Sequence, residues 1–439
     1  MKRLLAAGLL CVLAFSLSGC FLEPAESLYA VPRQPESFYD LQSAIEKQMG
    51  DGVSYSPPTA GENQQAVQLT DLDGDLEDEA IVFLKTQTDT PMTVCVFDRK
   101  DGTFSLLTRI SGAGTAFDRV EYVQIDDRPG KEIVLGRQIS EHVTQALNVY
   151  ALKDGTLVEL LSASYSDFIT TGMGVQGRSG IFLLHQDATA ANGIAEYYHW
   201  SDGALLRERE AEMSAPVSAV KRIITGRMCQ DVPAVFVASS YGESAIVTDI
   251  FGFRDGGFTN FIRTDETDTE VKTVRDYYVY SADIDIDGLI ELPRLQPMKA
   301  IAGDDGSKNQ SLICWYNLNA DASETRKKLT YHNYIGGWYL EIPEAWSPHL
   351  AVTQTDAYAS APAYRFLFTS ANGKTEELFT IVATTEASAR SGWSVLKQQG
   401  DMNYLCQLGD GAQQQGVTVE TLRSAFRLIR VDWKTGETG

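Results

Sequence analysis

Beyond its first twenty residues the chain has no apolar run that could cross a bilayer, which takes about 20 residues in a helix, so the mature protein is expected to lack a membrane-spanning helix. Histidine is scarce, with five copies, and so is cysteine, with six. No His-Glu-x-x-His, Gly-x-Ser-x-Gly or phosphate-cradling glycine loop occurs, and no cysteines have zinc-ligand spacing. Basic residues are outnumbered, 37 Lys and Arg against 59 Asp and Glu, for a formal charge of −22. Such a surface repels nucleic acid and attracts cations. The absence of reactive clusters turns attention from catalysis to binding and scaffolding. Paired carboxylates for sugar hydrolysis remain open, because that pair is defined by spatial separation rather than by spacing along the chain.

The first segment combines Lys2 and Arg3, an apolar stretch from Leu4 to Leu17, and then Leu17-Ser18-Gly19-Cys20. This is a charged start, a short hydrophobic region and a small-residue cleavage site, the pattern of a secretory signal. The last four residues resemble the lipobox of bacterial lipoproteins. That resemblance implies cleavage of residues 1–19, lipidation at Cys20, and a protein held by its lipid on the extracytoplasmic face of the cell membrane. Loss of Lys2 and Arg3 with the leader takes the charge from −22 to −24. Cys95, Cys229, Cys314 and Cys406 then remain, either in one of three disulfide pairings or as buried free thiols in apolar runs.

A repeat organises the middle of the chain. Asp-Gly pairs at Asp101-Gly102, Asp154-Gly155, Asp202-Gly203 and Asp255-Gly256 each sit between two strand-like apolar runs, at intervals near fifty residues. Asp-Gly in that setting predicts a hairpin turn, because both positions need positive φ. Upstream of each turn lies another strand: Ala80 to Leu84, Glu132 to Gly136, Gly180 to Leu184 and Ala234 to Ala238. A fifth copy runs from Asp283 through Ser311 to Asn317, with Asn319-Ala-Asp321 in place of Asp-Gly. The expected fold is mainly β: a β-propeller-like array of about five blades, residues 61–330, followed by a small α+β domain, residues 331–439. Ahead of the array, residues 20–60 are expected to form a lipidated tether and a short helix, with Phe38, Leu41, Ala44, Ile45 and Met49 at helical spacing and Gly50 as its end. Val417 to Ile429 reads as an amphipathic helix. Gly337, Pro343 and Trp346 resemble the entry of PsbP- and DcrB-type secreted domains.

Two acidic loops lead into blade strands, Asp71-Leu-Asp73-Gly-Asp75-Leu-Glu77-Asp78-Glu79 and Asp283-Ile-Asp285-Ile-Asp287-Gly288-Leu-Ile-Glu291. Carboxylates at positions one, three, five and nine point several oxygens at one centre, the donor set that calcium prefers. The second loop has Gly288 at position six, where a tight turn is needed; the first has Leu76 there and Gly74 two residues earlier. These loops, each feeding an apolar strand, resemble the integrin-type FG-GAP or VCBS repeat. The resemblance implies structural Ca2+ on Asp71, Asp73, Asp75 and Glu79, and on Asp283, Asp285, Asp287 and Glu291. In the second repeat Arg128 occupies position five, and in the third and fourth, Gly172 to Gly180 and Gly226 to Ala234, the carboxylates are gone. Trp200, Trp315, Trp338, Trp346, Trp393 and Trp433 offer either a stacking platform for sugar or core packing. The expected function is a non-enzymatic binding or scaffold protein that contacts the membrane through its lipid and recognises an unidentified protein or glycan, not nucleic acid. The rival expectation is a secreted carbohydrate-active hydrolase or lyase.

Overall fold

The computed structural model describes residues 36–139, 145–173, 178–186, 191–230, 232–263, 272–276, 279–301, 310–358, 361–386 and 391–430. Cys20, His142 and Trp433 lie outside these segments. The chain divides into two compact units, residues 1–119 with 152–158 and residues 120–151 with 159–439. It is mainly β, a succession of five blade-like antiparallel sheets followed by a smaller sheet-and-helix portion. Among the described residues no helix is long and apolar enough to cross a membrane.

In the first unit, helix α1 (Glu36–Glu46) buries Leu41, Ala44 and Ile45 against Ala80, Val82, Leu84, Cys95 and Phe97. The helix stops at Glu46, and the turn that follows puts its positive φ at Gly52 rather than at Gly50. Sheet I contains Val67–Thr70, Glu79–Lys85, Met92–Lys100 and Thr103–Gly112, with the short strand Ser54–Tyr55 at one edge. Its second strand is buried on both faces, whereas Thr103–Gly112 alternates between exposed and half-buried positions. A continuous apolar run therefore marks an inner strand, and alternation marks an outer one.

The plan recurs along the chain. Sheet II orders Ala116–Val123, Glu132–Gln138, Gln145–Lys153 and Thr156–Tyr165; sheet III orders Asp167–Thr171, Gly180–Gln186, Gly193–Ser201 and Ala204–Arg207, with Ala211–Glu212 beside its third strand. Sheet IV orders Val220–Cys229, Val232–Tyr241, Ala245–Arg254 and Gly257–Asn260. Neighbours share cores: Phe168, Ile181 and Trp200 pack with Val134 and Val149 between II and III, and Phe182 and Tyr197 pack with Val235 and Phe251 between III and IV. The connection from III to IV is held by buried Asp249, which accepts from Ser214 N at 2.9 Å, Ser214 Oγ at 2.6 Å and Asn260 Nδ2 at 2.8 Å.

Sheet V orders Leu292–Pro297, Ser311–Leu318, Glu324–Asn333, Trp338–Glu341 and Phe426–Leu428, and sheet VI orders Leu350–Thr355, Ala363–Thr369, Thr375–Thr384, Met402–Leu408 and Ser394–Gln399. Residue 330 lies inside the strand Glu324–Asn333, and one core runs from Leu312 and Trp338 of sheet V to Phe366 and Phe379 of sheet VI. The helix expected over Val417 to Ile429 is shorter: α2 spans Val419–Ala425 and Phe426–Leu428 is a strand. Thr418 and Thr421 form the capping box that starts α2. It ends at Phe426, whose backbone turns extended to pair with Leu340 and whose ring stacks on Trp338, at 5.7 Å between centroids. Trp315 and Trp338 are core residues and provide no exposed platform.

All four Asp-Gly turns have positive φ at both residues, from +50° to +52° at the aspartates and from +73° to +82° at the glycines. These are mirror-image turns whose twist matches that of the strands they join. At Gly203 a Cβ would meet nothing within 4 Å, so Gly203→Ala isolates the backbone cost. It is expected to lower stability by about 1–2 kcal/mol, read as a lower urea midpoint with unchanged slope; an unchanged midpoint would show that the turn tolerates a side chain.

Candidate functional site

The two acidic loops link antiparallel partners: Thr70 pairs with Glu79 in sheet I, and Ala282 bridges Glu291 beside sheet V. Each loop has a bulky residue in the left-handed region, Leu76 at φ +73° and Ile286 at φ +64°. Where the first loop has Gly74 at position four the second has Ile286, and where the second has Gly288 at position six the first has Leu76. Both loops therefore take the same backbone path, and Leu76 at position six does not alter it. For a β-branched residue such as Ile286 the conformation is strained. The side chains of Leu76 and Ile286 gain nothing from burial in return, being 92% and 87% exposed.

The strain is offset by a dense set of backbone bonds to carboxylates. Asp71 accepts from Gly74 N at 2.6 Å and from Leu76 N at 3.1 Å; Asp283 accepts from Asp287 N at 3.1 Å and from Gly288 N at 3.0 Å. At position nine, buried Glu79 accepts from Leu72 N at 2.7 Å, and buried Glu291 accepts from Ile284 N at 2.9 Å and from Asn317 Nδ2 at 2.7 Å. Oxygens of Asp71, Asp73 and Glu79 converge within 4.8 Å of one another, as do those of Asp283, Asp285 and Glu291. Asp75 and Asp287 are not members of these groups: Asp75 accepts from Glu77 N at 2.8 Å and Asp287 from Leu289 N at 2.9 Å.

The all-oxygen donor set fits a hard divalent cation, with oxygens close enough to share an ion at about 2.3–2.6 Å. Asp285 Oδ1 is buried and has no hydrogen-bond partner among the described residues, which adds an open acceptor to the later group. The loops differ in their surroundings. Lys327 Nζ lies 2.5 Å from Asp287 Oδ2 and 3.6 Å from Asp285 Oδ2, so an ammonium already sits over the later loop. Burial pushes Asp287 up, but the Lys327 bond and its backbone bond outweigh this, and the carboxyl ends below its ordinary value.

The second repeat supplies its own cation. There Glu132 accepts from Ile125 N at 2.6 Å, as Glu79 and Glu291 do from their own position two. Arg128, at position five, places its guanidinium on the fully buried carboxylate of Asp126, with Nε at 2.9 Å and the terminal nitrogen at 2.8 Å. In the third repeat the position-nine residue is Gly180, where a Cβ would overlap the Tyr197 hydroxyl. That hydroxyl takes over the role, accepting from Met173 N at 3.2 Å and donating to Thr171 O at 3.1 Å. In the fourth repeat the loop is absent, and Gly226 and Ala234 face each other across a hairpin. Tyr197 and Lys327 had no motif to announce them in the sequence; Gly180 opposite an aromatic strand was the available signal. The cysteines Cys95, Cys229, Cys314 and Cys406 are all free thiols.

Comparison with family models finds no match, and no curated protein matches the chain. Among solved structures, the exotype rhamnogalacturonan lyase YesX is 13% identical, over 80% of this chain and 67% of that one, with a TM-score of 0.28. The Bacillus licheniformis rhamnogalacturonan lyase PL11 is 13% identical over 74% and 71%, TM-score 0.27, and Saccharomyces cerevisiae Sqt1 is 9% identical over 75% and 81%, TM-score 0.27. Likenesses at this level carry no inference about activity.

Burial first, then the neighbouring aspartates, raise Glu79 and Glu291 to about 7 from the ordinary 4.5. An acid whose folded pKa is raised favours the folded state below its unfolded pKa, and that contribution is lost as pH climbs through the folded value. In chelator, stability is therefore expected to fall between about pH 4.5 and 7, and Glu79→Gln should flatten part of the fall. Denaturant titrations at pH 5, 6, 7 and 8 measure it; a wild-type profile that rises across this range would contradict the assignment.

Proposed function

We propose that the protein is a lipid-anchored extracytoplasmic binding or scaffold protein, whose blade-like sheets, braced by structural calcium, present their connecting loops to a protein or glycan. One observation carries the structural role of the ion. The same loop is built with converging carboxylates in one repeat and with Asp126 and a covalently supplied Arg128 cation in another. A position that a guanidinium can fill is one that braces the loop rather than one that turns over substrate. Asp71, Asp73 and Glu79 would hold the ion in the first loop, and Asp283, Asp285 and Glu291 in the later one. The loop without an ammonium over its aspartates is the stronger site, so the earlier loop binds first. Loops on a rigid β scaffold are where recognition is usually carried.

Extracellular calcium sites bind at about 10⁻³ M, so about 10 mM calcium adds about 1.4 kcal/mol per site. A rise of about 2–4 °C in the unfolding midpoint per kcal/mol follows. Asp73→Asn should remove the larger part of it, and Lys327→Met should strengthen the later site. An unfolding midpoint indifferent to calcium in the wild type would rule the ions out.

The anchor rests on Leu17-Ser18-Gly19-Cys20. Each acyl methylene adds about 0.8 kcal/mol of membrane affinity, so two or more chains hold a protein firmly. Mass spectrometry of the mature chain from a lipoprotein-processing bacterium should find an acylated Cys20 at its N-terminus, and Cys20→Ser should release the chain from membranes. An unmodified Cys20 on a membrane-free protein would end the proposal of display.

A further inference from the structure

A cavity of about 430 Å³ opens where sheets V and VI meet, within the second unit. Its size falls in the range of small-molecule sites. His332, on the inner strand Glu324–Asn333, lines it. The imidazole is packed among rings, stacked on Tyr339 at 4.9 Å with Trp315 at 5.7 Å and Tyr334 at 5.6 Å. Both of its ring nitrogens are buried, and neither has a hydrogen-bond partner among the described residues. Burial drives its pKa down to about 3, so it is neutral and carries one donor and one acceptor. A neutral imidazole buried with neither nitrogen paired costs stability that a core-filling phenylalanine would not. It fits a site whose ligand completes the pairing.

The rest of the lining indicates what that ligand is. Tyr334 and Tyr364 supply ring surface, and Ile335, 85% exposed, puts an aliphatic group at the rim. Gln354 adds an amide, which like the imidazole offers a donor and an acceptor together. Vicinal hydroxyls present the same mixture, and the C–H face of a pyranose stacks on aromatic rings. Among the described residues the lining holds no lysine or arginine and one carboxylate, Asp276, so an acidic sugar or a phosphate would meet no counter-charge from them.

We infer that this cavity is a binding site for a neutral sugar residue, with the His332 imidazole and Gln354 amide reading its hydroxyls and the tyrosines carrying its apolar face. The inference rests on the binding reading above and chooses glycan over protein. Saturation-transfer NMR on the full mature chain carrying Cys20→Ser tests it, with glucose, galactose, mannose, N-acetylglucosamine and their β-1,4 disaccharides as probes and galacturonate as the acidic control. At least one neutral probe should bind with a Kd of about 10 mM or tighter, and galacturonate should bind at least about tenfold more weakly than that probe. His332→Phe should weaken it at least about tenfold while the unfolding midpoint stays level or rises. Gln354→Ala, at an exposed position near a strand end, should weaken it too and stands in should His332→Phe fail to fold. No neutral probe bound at that concentration, equal binding of galacturonate, or binding unchanged in the variants would overturn the inference. In the first case, a displayed chain that still crosslinks to a protein partner leaves the binding reading intact, whereas a chain neither anchored nor partnered takes both down.

Discussion

Each acidic loop is built around a single buried backbone N–H, that of its second residue. In a loop that turns back into an inner strand, this group points away from solvent and cannot be left unpaired without cost. Leu72 and Ile284 are answered by Glu79 and Glu291, Ile125 by Glu132, and Met173 by the Tyr197 hydroxyl. The three carboxylate acceptors sit at the start of the following strand, so there the bond fixes where the loop closes and where the inner strand begins. Where the chain shortens the loop to a plain hairpin, at Gly226 and Ala234, the ladder itself pairs the backbone and no acceptor is needed.

Burying a carboxylate to answer that N–H creates a second difficulty, since the charge is itself costly away from water. The repeats resolve it in three ways. Glu79 and Glu291 shift toward the protonated form and gather further aspartates, which makes the loop a place for a cation. Beside Glu132 the guanidinium of Arg128 lies on Asp126. The third repeat dispenses with charge by using a phenol, which required Gly180 to make room. One geometric demand thus gives rise to metal-competent, self-neutralised and neutral versions of the same turn.

Much of this was legible in the sequence because it depends on local chemistry. The Asp-Gly pairs demand positive φ wherever they occur, and the inner strands announce themselves as unbroken apolar runs such as Ala80 to Leu84. The acidic loops were readable from the alternation of aspartates, although position five proved to serve the backbone rather than the cluster. What could not be read depends on distant partners. Lys327 reaches Asp287 from another strand, Tyr197 replaces a carboxylate from the neighbouring strand, and Phe426, where α2 ends, stacks on Trp338. His332 was one of five scattered histidines until sheets V and VI brought tyrosines and amides around it.

The strand Phe426–Leu428 pairs with Trp338–Glu341, so the edge of sheet V is completed by a segment that the whole of sheet VI separates from it in sequence. Closing so long a connection is entropically slow. The strand Trp338–Glu341 therefore lacks this edge partner until Phe426–Leu428 has been made, and that segment works as a latch. Truncations near the C-terminus reach further back than their length suggests, since they unlatch a sheet whose other strands were made long before.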